Sequence, residues 1–263
     1  MKELLFRLIA LGFVCCLFVS ALVAVTPAKK PEKEPSAVER EAEQTPAPKV
    51  EASPGQSASP TPKQDEDFRK SSAATNATIA PEQIAEFSSE LPRVKQLIES
   101  ALALTTQNLT YTYSSDDPAN GGMDCSGFVS YVLKKNGFSD VPRDASSQYV
   151  WVRKAGTFRA VLSQNPDTFE LSDLRPGDLL FWVGTYVTNH DPPVTHTMIY
   201  LGTEKGTGNR IMVGSSDGRS YQGKTRWGVS VFDFHLNNPS RTPESKPSRS
   251  IFVGYARPPG LRD

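Results

Sequence analysis

Leu174-Arg175-Pro176-Gly177-Asp178-Leu179-Leu180-Phe181-Trp182 is the stretch at which the chain changes character. Arg-Pro-Gly-Asp is a turn, with Pro fixing one φ and Gly supplying a backbone conformation that other residues avoid. The apolar run behind it reads as a buried strand. Further short runs follow at 196–202, 210–215, 228–234 and 251–256, separated by turn signals such as Gly206-Thr207-Gly208-Asn209. Upstream the spacing is helical: Val94, Leu97, Ile98, Ala101 and Leu104 share one face. A second helix opens at Met123-Asp124-Cys125-Ser126-Gly127-Phe128-Val129, continues through Val132 and Leu133, and stops at Asn136-Gly137. Helices first and strands afterwards predict an α+β domain, its N-terminal helices packed on an antiparallel sheet or partly closed barrel.

Before this domain the composition is of two kinds. Met1-Lys2-Glu3-Leu4-Leu5-Phe6-Arg7 leads into an uncharged apolar run over 8–25, the pattern of an export signal. Val19-Ser20-Ala21 offers small residues for cleavage, while the run is also about long enough to span a bilayer. Both a cleaved signal and a retained inner-membrane anchor therefore fit residues 1–28. Cys15 and Cys16 raise lipidation, but Gly12-Phe13-Val14 is bulky where such a site needs small side chains. Residues 29–80 are Pro, Lys, Glu, Ser, Ala, Gln and Thr with scarcely a large apolar residue. Such a segment cannot bury enough surface to offset its ordering entropy, so it reads as a disordered linker spanning on the order of 40 Å. The folded domain is expected over 81–258, with a short tail at 259–263. Formal net charge is zero, which gives no indication of nucleic acid as a partner.

Of three cysteines, two lie in the apolar export segment, leaving Cys125 alone beyond it. A lone thiol in an oxidising compartment is either a buried small hydrophobe or a chemical group. Its position favours chemistry. Asp124 and Ser126 bracket it at a helix start, where unpaired N–H groups and the helix dipole favour a thiolate and an oxyanion.

A nucleophilic thiol needs an imidazole to take and return protons. His196 begins the apolar strand Thr197-Met198-Ile199-Tyr200-Leu201 and is held by neighbours in a core. His190 lies in a polar loop and His235 at a strand end, both positions typical of surface residues. No clustered set of ligands points to a metal, and no cofactor is implied.

Four segments now combine. Met123-Asp124-Cys125-Ser126-Gly127-Phe128-Val129, Val141-Pro142-Arg143-Asp144-Ala145-Ser146-Ser147-Gln148, the Leu174 to Trp182 stretch, and His196-Thr197-Met198-Ile199-Tyr200-Leu201-Gly202 together resemble the NlpC-type cell-wall peptidases of bacteria. The resemblance covers roughly residues 93 to 257. It implies a papain-like fold and cleavage of peptidoglycan stem peptides, typically between D-glutamate and a diamino acid, in the periplasm or cell envelope. By the same resemblance Cys125 is the nucleophile and His196 the base. Tyr113 stands where the family has a Tyr upstream of the nucleophile. Asp124 and Ser126 match residues that bind a stem-peptide amine, though Asp124 also fits a helix N-cap. Arg143 matches an Arg supporting the site, with a surface ion pair as the alternative.

There are departures from the pattern. The family usually orients the imidazole with a third polar residue, often His, on the following strand. The aligned position here is Gly214, so Ser215, Ser216 or Asp217 would have to substitute. The family's Trp-Gly-Gly after the upstream Tyr is replaced by Ser114-Ser115-Asp116-Asp117, and residues 184–194 form a longer loop before the base. Two other readings stay open. One is a catalytically weak binding or scaffolding protein on the same fold; the other is an amidase or acyltransferase using the same pair. Oligomeric state is not legible.

Overall fold

The computed structural model describes residues 62–237 and 250–261. The apolar segment and most of the linker lie outside these residues. Among the described residues no helix is long and apolar enough to cross a membrane.

Among the described residues, four α-helices and a six-stranded antiparallel sheet make an α+β domain, as the periodicity predicts. Helix α1 is Pro62–Ser72 and α2 is Pro92–Thr105, with Pro at its first turn and Val94, Leu97, Ile98, Ala101 and Leu104 buried. Two short parallel strands follow, β1 at Thr110–Tyr111 and β2 at Gly122–Met123. Helix α3, Cys125–Lys135, is capped by Asp124, whose carboxylate accepts from the Gly127 N–H at 2.7 Å. It ends where Asn136 and left-handed Gly137 close the last turn. Helix α4, Ala145–Lys154, has Asp144 as its cap. The sequence reading missed it, because only Ala145, Gln148 and Val152 are buried and the first turn is polar.

The large sheet comprises β3 (Phe158–Ala160), β4 (Leu179–Val183), β5 (Val194–Thr203), β6 (Arg210–Tyr221), β7 (Lys224–Asp233) and β8 (Ile251–Ala256). Its spatial order is β3-β8-β4-β5-β6-β7, every pair antiparallel. Period-2 alternation divides the strands between two cores. One face sends Leu179, Phe181, Ile199, Leu201, Ile211 and Val213 against α2, α3 and α4. The other carries Leu180, Trp182, Met198, Tyr200 and Met212 into an aromatic cluster with Phe232, Phe234 and Phe252.

Order starts earlier than the composition indicates. Between α1 and residue 80 the chain pairs with β7: Ala74 bridges Arg226, the Ala77 N–H donates to Ser230 Oγ at 2.8 Å, and Ile79 is buried. The segment holds here because backbone groups, more than a hydrophobic face, supply the contacts.

Candidate active site

Cys125 is the first residue of α3 and is buried. The backbone N–H groups of Thr197 and Ser126 point at its sulfur, so α3 delivers the thiol to the residue adjoining His196. Two devices hold that helix start. The Asp124 N–H donates to the Ser115 carbonyl at 2.9 Å, and a Cβ on Gly127 would collide with that same carbonyl. From α4, the fully buried Gln148 donates to the Ser126 and Pro142 carbonyls, each at 3.0 Å.

The electrostatics run against the expectation of an acidified thiol. Burial, followed by the Asp124 charge, pushes the Cys125 thiol up to about 12, and the Thr197 and Ser126 N–H groups only partly oppose this. Desolvation of the charged form outweighs the helix start. Asp124 is itself engaged. Arg143 grips it bidentately, Nη1 to Oδ1 at 3.0 Å and Nη2 to Oδ2 at 2.7 Å, and also donates to Ser126 Oγ at 3.1 Å. Asp116 completes the group, 3.4 Å from Arg143 Nε. Asp124 is therefore cap and ion-pair partner at once, and any amine binding there competes with a guanidinium.

His196 lies on β5 directly across from Trp182 on β4, their ring centroids 5.7 Å apart. Both His196 and Cys125 are 6 % exposed. The Nε–H of Arg219, on β6, donates to His196 Nε2 at 3.3 Å, and the Arg219 Cζ sits 4.2 Å from the Trp182 ring centroid. His190 and His235 are exposed, and His190 Nδ1 contacts the Pro192 carbonyl at 2.8 Å.

The remaining sequence candidates divide. Tyr113 is 81 % exposed. Tyr111, two residues earlier, lines the cavity beside His196. Burial and then the charge of Cys125 hold its phenol protonated well above the usual range. Ser215 Oγ is committed to the Met123 carbonyl at 2.6 Å. Asp217 lines the cavity, its charge felt at both Tyr111 and Cys125. At position 214 a Cβ would lie 2.8 Å from Met198 Cγ, so Met198 holds the room an orienting side chain would need.

Sequence reasoning also missed Arg219 and Gln148. For Gln148 the signal was present, at the end of the Val141 to Gln148 segment. For Arg219 none existed, because its reach depends on an irregularity in β6 between Asp217 and Ser220.

The cavity by His196, lined also by Tyr186, Ser216 and Arg219, measures about 60 Å³, room for about two waters. Tyr186 belongs to the long loop after β4. The loop is tied down by Thr185 N and Oγ1 on Thr195 Oγ1, at 3.0 and 2.8 Å, and by Ser146 Oγ on the Pro192 carbonyl at 2.9 Å. Among the described residues no three His, Cys, Asp or Glu side chains are grouped as metal ligands.

Residues 108–228 match the NlpC/P60 family. Among solved structures, a protein similar to a lipoprotein of the NLP/P60 family, from Staphylococcus aureus subsp. aureus Mu50, is 22 % identical with a TM-score of 0.39. The match covers 69 % of this chain and 43 % of that one, so the chain spans less than half the length of that protein. No curated protein matches the chain.

Proposed function

We propose that this chain, whose residues 108–228 match the NlpC/P60 family, is a papain-like thiol hydrolase of bacterial cell-wall stem peptides, with Cys125 as nucleophile and His196 as base. The observation that carries the reading is the seat of the Cys125 sulfur at the start of α3, against the backbone N–H of the residue next to His196. No other described thiol exists to take the role.

In this reading His196 takes the thiol proton as sulfur attacks the carbonyl carbon of a γ-D-glutamyl–diamino-acid bond. N–H groups of the first turn of α3 receive the oxyanion. Collapse of the adduct breaks the C–N bond, and His196 returns its proton to the departing amine. Water then attacks the thioester with His196 as base, releasing the carboxylic acid and restoring the thiol. In this reading the apolar segment at 8–25 is a cleaved signal or a retained anchor that takes the chemistry outside the inner membrane, with residues from about 29 to 61 as a linker and the remainder as the hydrolase domain.

Mass spectrometry of defined muropeptides digested by the full chain tests this. Cleavage between D-glutamate and the diamino acid, lost in Cys125→Ala, supports it; equal activity of the Ala variant overturns the nucleophile. A second reading, binding without cleavage, is favoured by the Gly214–Met198 packing that leaves no orienting residue at that position. It predicts that the unaltered chain retains stem peptides without cutting them.

A further inference from the structure

Arg219 is 3 % exposed, sits over the Trp182 ring and donates its Nε–H to His196 Nε2. A guanidinium has donors and no acceptor, so Nε2 must offer its lone pair. A neutral imidazole with a bare Nε2 carries its proton on Nδ1. Neither nitrogen then has a lone pair for the proton of Cys125: one faces Arg219, the other already holds hydrogen. Protonating Nε2 would set two N–H groups and two positive charges against each other, so this bond and an imidazolium exclude one another. A third residue that accepted from Nε2–H would have the opposite effect.

We propose that Arg219 is a positioning residue that latches His196 in the Nδ1–H tautomer, and that a substrate carboxylate releases the latch by drawing the guanidinium away. The latch rests on the thiol-hydrolase reading and deepens it. Arg219 lines the same cavity as His196, so a carboxylate entering there meets it directly. For a guanidinium, a carboxylate is a stronger, charge-assisted partner than a neutral imidazole. A γ-linked D-glutamate carries such a group, its α-carboxylate, on the same residue as the carbonyl to be cut. Around the sulfur stand Asp124 at the α3 cap, Arg143 before α4, Asp217 on β6, Tyr111 on β1 and Tyr186 in the loop after β4; Arg219 and Trp182 face the imidazole.

The test uses the full chain and three readouts. Iodoacetamide alkylation of Cys125 is followed from pH 5 to 9.5 in the unaltered chain, Arg219→Gln and Arg219→Leu. Gln accepts from Nε2–H, so Arg219→Gln is expected to react at pH 7 at least about tenfold faster, the effect of one unit in thiol acidity, with Arg219→Leu between. A folded Arg219→Gln that reacts no faster overturns the latch. Should that variant not fold, long-range 15N–1H spectra of the unaltered chain decide: Nδ1 protonated and Nε2 bare supports the latch, Nε2 protonated overturns it. Third, the unaltered chain should cleave muropeptides with a free D-glutamate α-carboxylate faster than their α-amides, and Arg219→Gln should cut both alike. Equal rates on both by the unaltered chain overturn the release step. If no variant cuts any muropeptide the hydrolase reading fails, while the alkylation and spectra still judge the tautomer.

Discussion

Met198 on β5 stands across from Gly214 on β6, and a Cβ on Gly214 would lie 2.8 Å from the Met198 Cγ. The two positions share one volume. Gly214→His alone should overpack it, costing about 1–3 kcal/mol. Met198→Gly alone should leave a cavity, costing about 2–5 kcal/mol. Combined, they should cost well under the sum, because the imidazole fills the space the thioether leaves. Urea unfolding of the four proteins measures the coupling, and strictly additive costs would refute the shared volume.

Burial first, and then the negative charge of Asp124, raise the Cys125 thiol, while Arg143 neutralises part of that charge. Asp124→Asn keeps a helix cap and removes the anion, leaving the guanidinium near the sulfur. A group that ionises to an anion becomes more acidic when a neighbouring negative charge goes. Iodoacetamide alkylation of Asp124→Asn is therefore expected at lower pH than in the unaltered chain. The lost ion pair, with Arg143 one-third exposed, should cost about 1–2 kcal/mol. A profile that stays put or moves to higher pH would contradict the assigned cause.

Ser215, Ser216 and Asp217 are the sequence candidates for the third position, and hydrogen bonding sets Ser215 apart. With Ser215 Oγ on the Met123 carbonyl at 2.6 Å, the hydroxyl pins β6 to the residue before the α3 cap. Ser215→Ala should leave a buried carbonyl without that donor and cost about 1–3 kcal/mol. Its alkylation profile, in contrast, should overlay that of the unaltered chain. A shift in that profile would return Ser215 to the group around His196.

Cys125 and His196 were legible because each couples a rare side chain to a strong local pattern, a capped helix start and an apolar strand. What lay between the strands was not. Ile199 pairs with Val213 and Tyr200 with Met212, and Ser216, further along β6, lines the cavity beside His196. The family pattern points to Gly214, one side-chain step away. Arg219 is harder still, since Gly218 and the irregular pairing between Asp217 and Ser220 change which way the strand turns. Period-2 reasoning carries no record of a bulge. Tyr111 and Tyr113 point the same lesson: two equivalent residues in an alternating piece, distinguished only by what packs above them.

The raised Cys125 thiol also makes a statement about stability at high pH. Its ordinary value is 9.0 and the folded value about 12. Between these, the unfolded chain has released the proton and the folded chain still holds it. The folded state binds more protons, so stability falls as pH rises, by up to about 1.4 kcal/mol per pH unit. Below pH 9 both states hold the proton and the contribution is level. Cys125→Ser has no thiol to ionise in this window, the tyrosines of the unfolded chain titrate alike in both proteins, and the folded Tyr111, held protonated first by its burial, keeps its proton in both. Urea unfolding at pH 8, 9, 10 and 11 should thus show the unaltered chain losing stability relative to Cys125→Ser only above pH 9. A difference that stays constant to pH 11 would mean that the thiol is not held protonated by its burial.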